Sequence, residues 1–484
     1  MTAGRRWAPV VGLAVVAGLI AAGSAGRSVA GPPARARSGS LSVDSAVAVC
    51  PNLAGLPVSP TVVDIAAVPP SAATTRAPSV AITTARLTGK AAGSTTVPTR
   101  PITRVQSTTV AQTGVVQATG PGAGGVVVEQ SRLIPGGIYR GLMSAPCVAP
   151  ATDTWLTGAD GRVGYTDTLV IANPGTTVAN VTVTAWASTG RLTPPKLQAF
   201  TVAARSAQFL NIADYTPDAA LVSLHVHANS GRVTAEVFDR RVTGVRPAGI
   251  DWIPPTSPPT TDLVVPGFPA GTGPRQIVIA NPGAVDAMVS LRLATGSGNF
   301  SPAGHPTVLV RGGRTALVDL TTSLGGAAGA VVLHSDMPIT VAGVSQATAT
   351  GKLPDIQWLV ASSGLTGPAV LPDNSPPFGH DVRVYLTAPQ AAAQVRIEAV
   401  TSGKIVTVSV AAGRTLAYDP VAVFGSAAYG PLLLTPIGGG PVHASRMLYA
   451  FGAHGPLTTA EQPTVLPTPT ALPPVVEDPR AAVP

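Results

Sequence analysis

The segment LVIANPGTTVANVTV at 169–183 returns as IVIANPGAVDAMVSL at 277–291, 108 residues later. In each copy an apolar run is stopped by Asn-Pro-Gly, and a second run follows that alternates apolar and polar residues. Proline presets φ for the second position of a turn, glycine accepts the positive φ of the third, and asparagine caps it. The local reading is strand, turn, strand. Domain-sized spacing marks a structural unit copied in series, since catalytic motifs are rarely duplicated that way.

The correspondence continues downstream. FTVAARSAQFL at 200–210 parallels VLVRGGRTALV at 308–318, ALVSLHV at 220–226 parallels AVVLHSD at 330–336, and RVTAEVF at 232–238 parallels PITVAGV at 338–344. A more worn copy opens with DVRVYLTAPQAAAQVRIEAV at 381–400, where Ala388 replaces the asparagine. Pro174, Pro282 and Pro389 keep the register, and Arg205, Arg314 and Arg414 fall in the matched hairpin. With 52 Gly and 49 Pro the chain is too punctuated for long helices. Six or seven short strands per period predict an all-β fold of tandem immunoglobulin-like β-sandwich modules after an N-terminal signal or anchor helix. Modules are expected at 151–250, 251–357 and 358–455. Residues 45–150 read as a degenerate β-rich module, with Cys50-Pro51 standing where the others have Asn-Pro. The Thr-, Pro- and Ser-rich stretch 69–110 fits a loose linker equally well. Residues 31–44 read as a linker and 456–484 as a Pro-rich disordered tail.

Arg5 and Arg6 precede the uncharged run WAPVVGLAVVAGLIAAGSAG at 7–26. Residues 1–30 are therefore expected to be a signal peptide cleaved after Ala30, or a retained signal anchor that holds the chain on the membrane. Either way the protein is expected to be secreted or extracytoplasmic. In such a compartment Cys50 and Cys147 should form a disulfide, worth about 4 kcal/mol in the chain-entropy view. The formal charge of +8 lies at the N-terminal end: beyond residue 128 the chain carries 21 basic and 21 acidic residues. Nucleic-acid binding needs a clustered basic stripe with stacking aromatics, so it is excluded.

Nothing in the sequence nominates a catalytic, cofactor or metal site, and the chain is expected not to be an enzyme. Gly120–Gly125 satisfies G-x-G-x-x-G in form, but a strand follows it directly and Pro121 sits inside it. A dinucleotide loop must open a helix. His225 and His227 share a strand face; His334 aligns with His225, the second position becomes Asp336, and no third ligand is close in sequence. Strand histidines without metal are the expectation. Trp155, Trp252 and Trp358 recur near the starts of units and should pack against neighbouring sandwiches. Trp186, inside a strand and unmatched in the other copies, is the candidate for exposed ligand stacking.

RGLMSAPC, DTWL and the IANPG repeat resemble an uncharacterised family of secreted actinobacterial proteins, a domain of unknown function. The resemblance implies export and carries no functional residue with it. The functional expectation is an exported, non-enzymatic structural or adhesive scaffold that meets cell-envelope proteins or glycans. The alternative is a glycan-binding accessory of envelope polysaccharide assembly. Exposed coplanar aromatics beside Asp or Asn would favour the second, and packed tryptophans the first.

Overall fold

The computed structural model describes residues 40–41, 43–53, 56, 61–68, 79–88, 91–98, 113–375, 381–467 and 470–471. The expected signal segment, most of 31–44 and nearly all of 468–484 lie outside them. Among the described residues no helix is long and apolar enough to cross a membrane. Two units are distinguished. Residues 1–42 with 469–484 contribute one short antiparallel pairing, Ser40–Leu41 with Thr470–Ala471. Val43–Thr468 forms the other, a single compact unit that contains every repeat.

The fold is all-β, and one strand order recurs four times. In the second repeat the first sheet runs Asp153–Ala159, Val222–Ser230, Ala179–Ala187, Gly190–Leu192 across space. The second sheet runs Ser206–Asn211, Thr168–Asn173, Thr234–Thr243, Arg246–Ile253. Alternating residues Leu169, Ile171, Val181, Val183, Leu224, Val226, Ala235 and Val237 fill the space between the two. The third repeat repeats this layout. There Gly329–Ala347 is one 19-residue strand that leaves one sheet and enters the other, which joins them into eight strands. The fourth follows with Asp381–Ala388 and Ala393–Ala399 at its centre.

The same order governs the first repeat: Ser45–Cys50, Gly114–Thr119, Ser79–Arg86, Ala91–Pro98 in one sheet, Thr61–Ala67, Val126–Ile134, Gly141–Pro146 in the other. Cys50 therefore ends the opening strand, and the strand matched to the Asn-Pro strands is Thr61–Ala67. Cys50 and Cys147 are disulfide-bonded inside this repeat's core.

The Asn-Pro-Gly turns behave as their chemistry requires. Buried Asn173 donates its amide to the carbonyls of Thr177 (2.8 Å) and Val202 (3.0 Å), while its Oδ1 accepts from Gly175 N at 2.9 Å. Asn281 repeats this with Val285, Val310 and Gly283. Each side chain thus ties its own turn to a hairpin about 29 residues away.

Pairing register corrects one alignment. Asn173 faces Ser206, Asn281 faces Arg314 and Ala388 faces Arg414. Arg314 and Arg414 thus match Ser206, and Arg205 matches Gly313 and Gly413. Those glycines have φ of 70° and 69°, and Arg205 is held at 51°. A side chain at positive φ is strained where glycine is not.

Each repeat ends in a closing strand: Gly141–Pro146, Arg246–Ile253, Asp355–Val360 and Gly455–Glu461. Each touches the next, and the last touches the first, so the four repeats close into a ring around these strands. The expected tail begins later than 456, because Gly455–Glu461 is a wholly buried ring strand. Trp252 and Trp358 sit on closing strands at the ends of their repeats and pack backward. Trp252 joins Ile134, Met143 and Ala145 of the first repeat; Trp358 enters the core of the second. Gly158 is required there, since a Cβ on it would lie 2.2 Å from the Trp358 ring.

A closing strand is the edge of its sheet, and a buried edge must satisfy its free peptide groups. Polar side chains do so at the ring axis. Asp355 accepts from Leu142 N (2.9 Å), Thr458 N (3.0 Å) and Ile250 N (3.3 Å), one from each of the other three closing strands. Asp251 accepts from Trp358 N at 2.9 Å and Thr459 Oγ1 at 3.1 Å. The joint between the first and fourth repeats is the only one of the four without a chain connection across it. Arg446 pairs there with Glu129 at 2.7 Å and Glu461 at 3.7 Å, and Ser144 Oγ meets Thr459 Oγ1 at 2.9 Å. Arg140 donates to the carbonyls of Gly455 and Pro456, both at 2.7 Å. Ala66, Val127, Val370, Leu433 and Leu466 complete the joint with an apolar patch. Beside it, Val43 and Pro467 flank Gly124, 3.0 and 3.4 Å from where its Cβ would be.

Burial pushes the Glu461 carboxyl up to about 8, although Arg446 pulls it down. It likewise pushes Asp355 up to about 7 against the pull of its N–H donors and Arg140. A carboxyl raised on folding contributes stability that is fully present below its unfolded value, about 4, and lost as pH rises through the folded value. The thermal midpoint should therefore fall between about pH 4 and pH 8. Glu461→Gln, which fixes the neutral form, should flatten that decline and be the more stable chain at pH 8.5; parallel pH profiles would refute the assignment. Arg205→Gly should raise stability by about 1 kcal/mol, read from the denaturant midpoint.

Candidate functional site

The strand Val222–Ser230 has the sequence VSLHVHANS. Val222, Leu224, Val226 and Ala228 turn into the core of the second repeat, so His225 and His227 stand on the opposite, outer face. Its neighbours bring matching outward residues. His225 lies opposite Trp155 on one side and Thr184 on the other, while His227 lies opposite Asp153 and Thr182.

These pairings gather three ligand-type side chains from two strands. Asp153 Oδ1 is 3.0 Å from His225 Nε2 and 2.8 Å from His227 Nδ1. Among the described residues this is the one group of three or more His, Cys, Asp or Glu side chains close enough to share a metal ion. The Trp155 ring stacks on His225, with centroids 4.3 Å apart and planes at 11°, and on Trp186 at 5.4 Å and 22°. A row of Trp186, Trp155 and His225 thus runs across the outer face and fixes the plane of the His225 imidazole.

The electrostatics follow from this geometry. The hydrogen bond from His227 is the largest influence holding Asp153 below the usual carboxylate range. Burial lowers His225, opposed by Asp153. Half-buried beneath a tryptophan, His225 is favoured as the neutral imidazole, the form that ligates metals.

The third repeat carries part of the same arrangement. His334 Nδ1 lies 2.8 Å from Asp262 Oδ1, and this pair occupies the rung of Asp153 and His227. His334 therefore matches His227, two residues from the sequence alignment, and the partner of His225 is Val332. Val264 and Ala294 stand where the second repeat has Trp155 and Trp186. In the fourth repeat the rung of His227 holds Thr435.

Trp186 is 6% exposed and buried beside Trp155, so it offers no open stacking face; as a strand residue next to a large aromatic, it is covered by it. Gly120–Gly125 forms a turn and one short 3₁₀ segment, Ala123–Gly125, running straight into Val126–Ile134. The sequence missed Asp153 because it is 72 residues from His225 and 74 from His227; only the pairing of the first and last strands, in chain order, of one sheet unites them. A usable signal existed: an Asp lies at or near the start of the first strand of two successive units, in DTWL and TDLV, and a later strand of each unit bears His.

Comparison with curated proteins finds no match. The sequence pattern of one family matches residues 102–421, two thirds of the chain and parts of all four repeats. The chain belongs to the DUF5719 family, a family of unknown function.

Proposed function

We propose that the chain is an exported, non-enzymatic scaffold of the cell envelope, acting by presenting rigid surfaces to partner proteins. The observation that carries this reading is the closed ring. At its axis Asp355, Asp251, Ser144 and Thr459 are occupied in holding one closing strand to the next, and Arg446 ties the fourth repeat to Glu129 of the first. The Cys50–Cys147 disulfide supports an oxidising location, and the Arg5-Arg6 segment with its apolar run supports export.

The tryptophans favour the scaffold over the glycan-binding reading. Trp186, Trp252 and Trp358 are buried, and Trp155 stacks on protein rings. A sugar platform needs an uncovered aromatic face. Apolar side chains on the outer strands supply docking material instead: Met288 and Leu309 face each other across paired strands and are both exposed, as are Phe209 and Leu317 at matched positions of successive repeats.

The test has two arms. Protease added to whole cells should degrade the chain, and a purely cytoplasmic location would overturn the proposal. Immobilised full-length chain should retain the same defined set of envelope proteins before and after the extract is digested with polysaccharide hydrolases. Retention that disappears on digestion would replace the scaffold with glycan binding.

A further inference from the structure

We propose that Asp153, His225 and His227 form a binding site for a divalent transition-metal ion of the zinc class on the outer face of the second repeat. One ligand-type atom from each residue lies within 4.8 Å of the other two, and Asp153 Oδ1 already meets His225 Nε2 and His227 Nδ1. Zinc bonds of roughly 2.0–2.2 Å in tetrahedral geometry separate adjacent ligand atoms by about 3.4 Å. The pairs at 3.0 and 2.8 Å need to part by only a few tenths of an ångström to admit the ion between them. Two imidazoles and one carboxylate suit zinc, copper or nickel rather than magnesium or calcium, which prefer all-oxygen shells. The Asp153 side chain is half exposed, so water can complete the coordination.

Strand chemistry alone explains an Asp–His pair on this rung, because the third repeat has one in Asp262 and His334. It does not explain His225. At that position the third repeat has Val332, whereas the second places a partly buried imidazole against the same carboxylate oxygen and clamps it under Trp155. The added histidine and its aromatic support arrive together in one repeat. Together they turn a two-ligand pair into a three-ligand group with fixed orientation, as a preorganised metal site requires. The ion would join the first strand of this sheet to the next on its outer face.

The experiment uses tag-free full-length chain stripped with a chelator and titrated with zinc against a chromophoric chelator. One zinc per chain is expected. His225→Ala and Asp153→Asn should each weaken binding at least about tenfold, whereas His334→Ala leaves it unchanged. Zinc should raise the thermal midpoint of the parent chain and not that of His225→Ala, and the midpoints without zinc report whether each variant is folded. No competition by the parent chain, or affinity indifferent to His225→Ala in a folded variant, overturns the proposal. Loss in His334→Ala equal to that in His225→Ala overturns it as well, by locating the ion elsewhere.

Discussion

Each repeat of this chain ends in a strand whose outer edge has no sheet partner. Left in water such an edge invites association with other chains; buried, it needs an acceptor for every free N–H. Four of these edges meet at one axis, and three backbone donors from three repeats converge on Asp355. The rest of the architecture depends on that arrangement. It turns four sandwiches, each with its own apolar core, into one compact unit, and it accounts for titratable groups inside a chain with only 11% charged residues.

Burying carboxyls carries a penalty unless they are neutral or paired. Both solutions occur here. Asp355 and Glu461 are pushed toward the protonated form near neutral pH, while Arg446 supplies a cation between Glu129 and Glu461. One guanidinium between two carboxyls favours a proton on one of them. Replacing such networks by apolar residues is often neutral for stability. What the polar version adds is directional: each hydrogen bond has one acceptor on a different repeat, which fixes the register of the closing strands.

The repeat was legible because turn chemistry is local. Asn173 and Asn281 sit in their own turns, and alternation marks the core-facing residues of 179–187 and 287–295. The ring was not legible, because it closes through contacts such as Arg446 with Glu129 that join the fourth repeat to the first and leave no periodic trace. Shared residue identity also misled. Arg205 looked like the partner of Arg314 but holds a glycine position, and Trp252 looked like the start of a unit but ends one. Backbone register, which letters do not encode, separates these readings. The same limit hid Asp153 from His225 and His227: the histidines show in the sequence, and their carboxylate arrives through pairing.

Closure has a mechanical corollary. Three joints of the ring are spanned by the chain itself, and the fourth is held by Arg446, Arg140, Ser144 and a small apolar patch. Val43 and Pro467 meet beside Gly124, so the two ends of the unit leave from the same corner, next to that fourth joint. The compact unit is a belt with one buckle, and its own two ends lie beside it. Pulling those two ends apart would load the buckle together with the strand Ser45–Cys50, and the Cys50–Cys147 bond fastens the far end of that strand inside the first repeat.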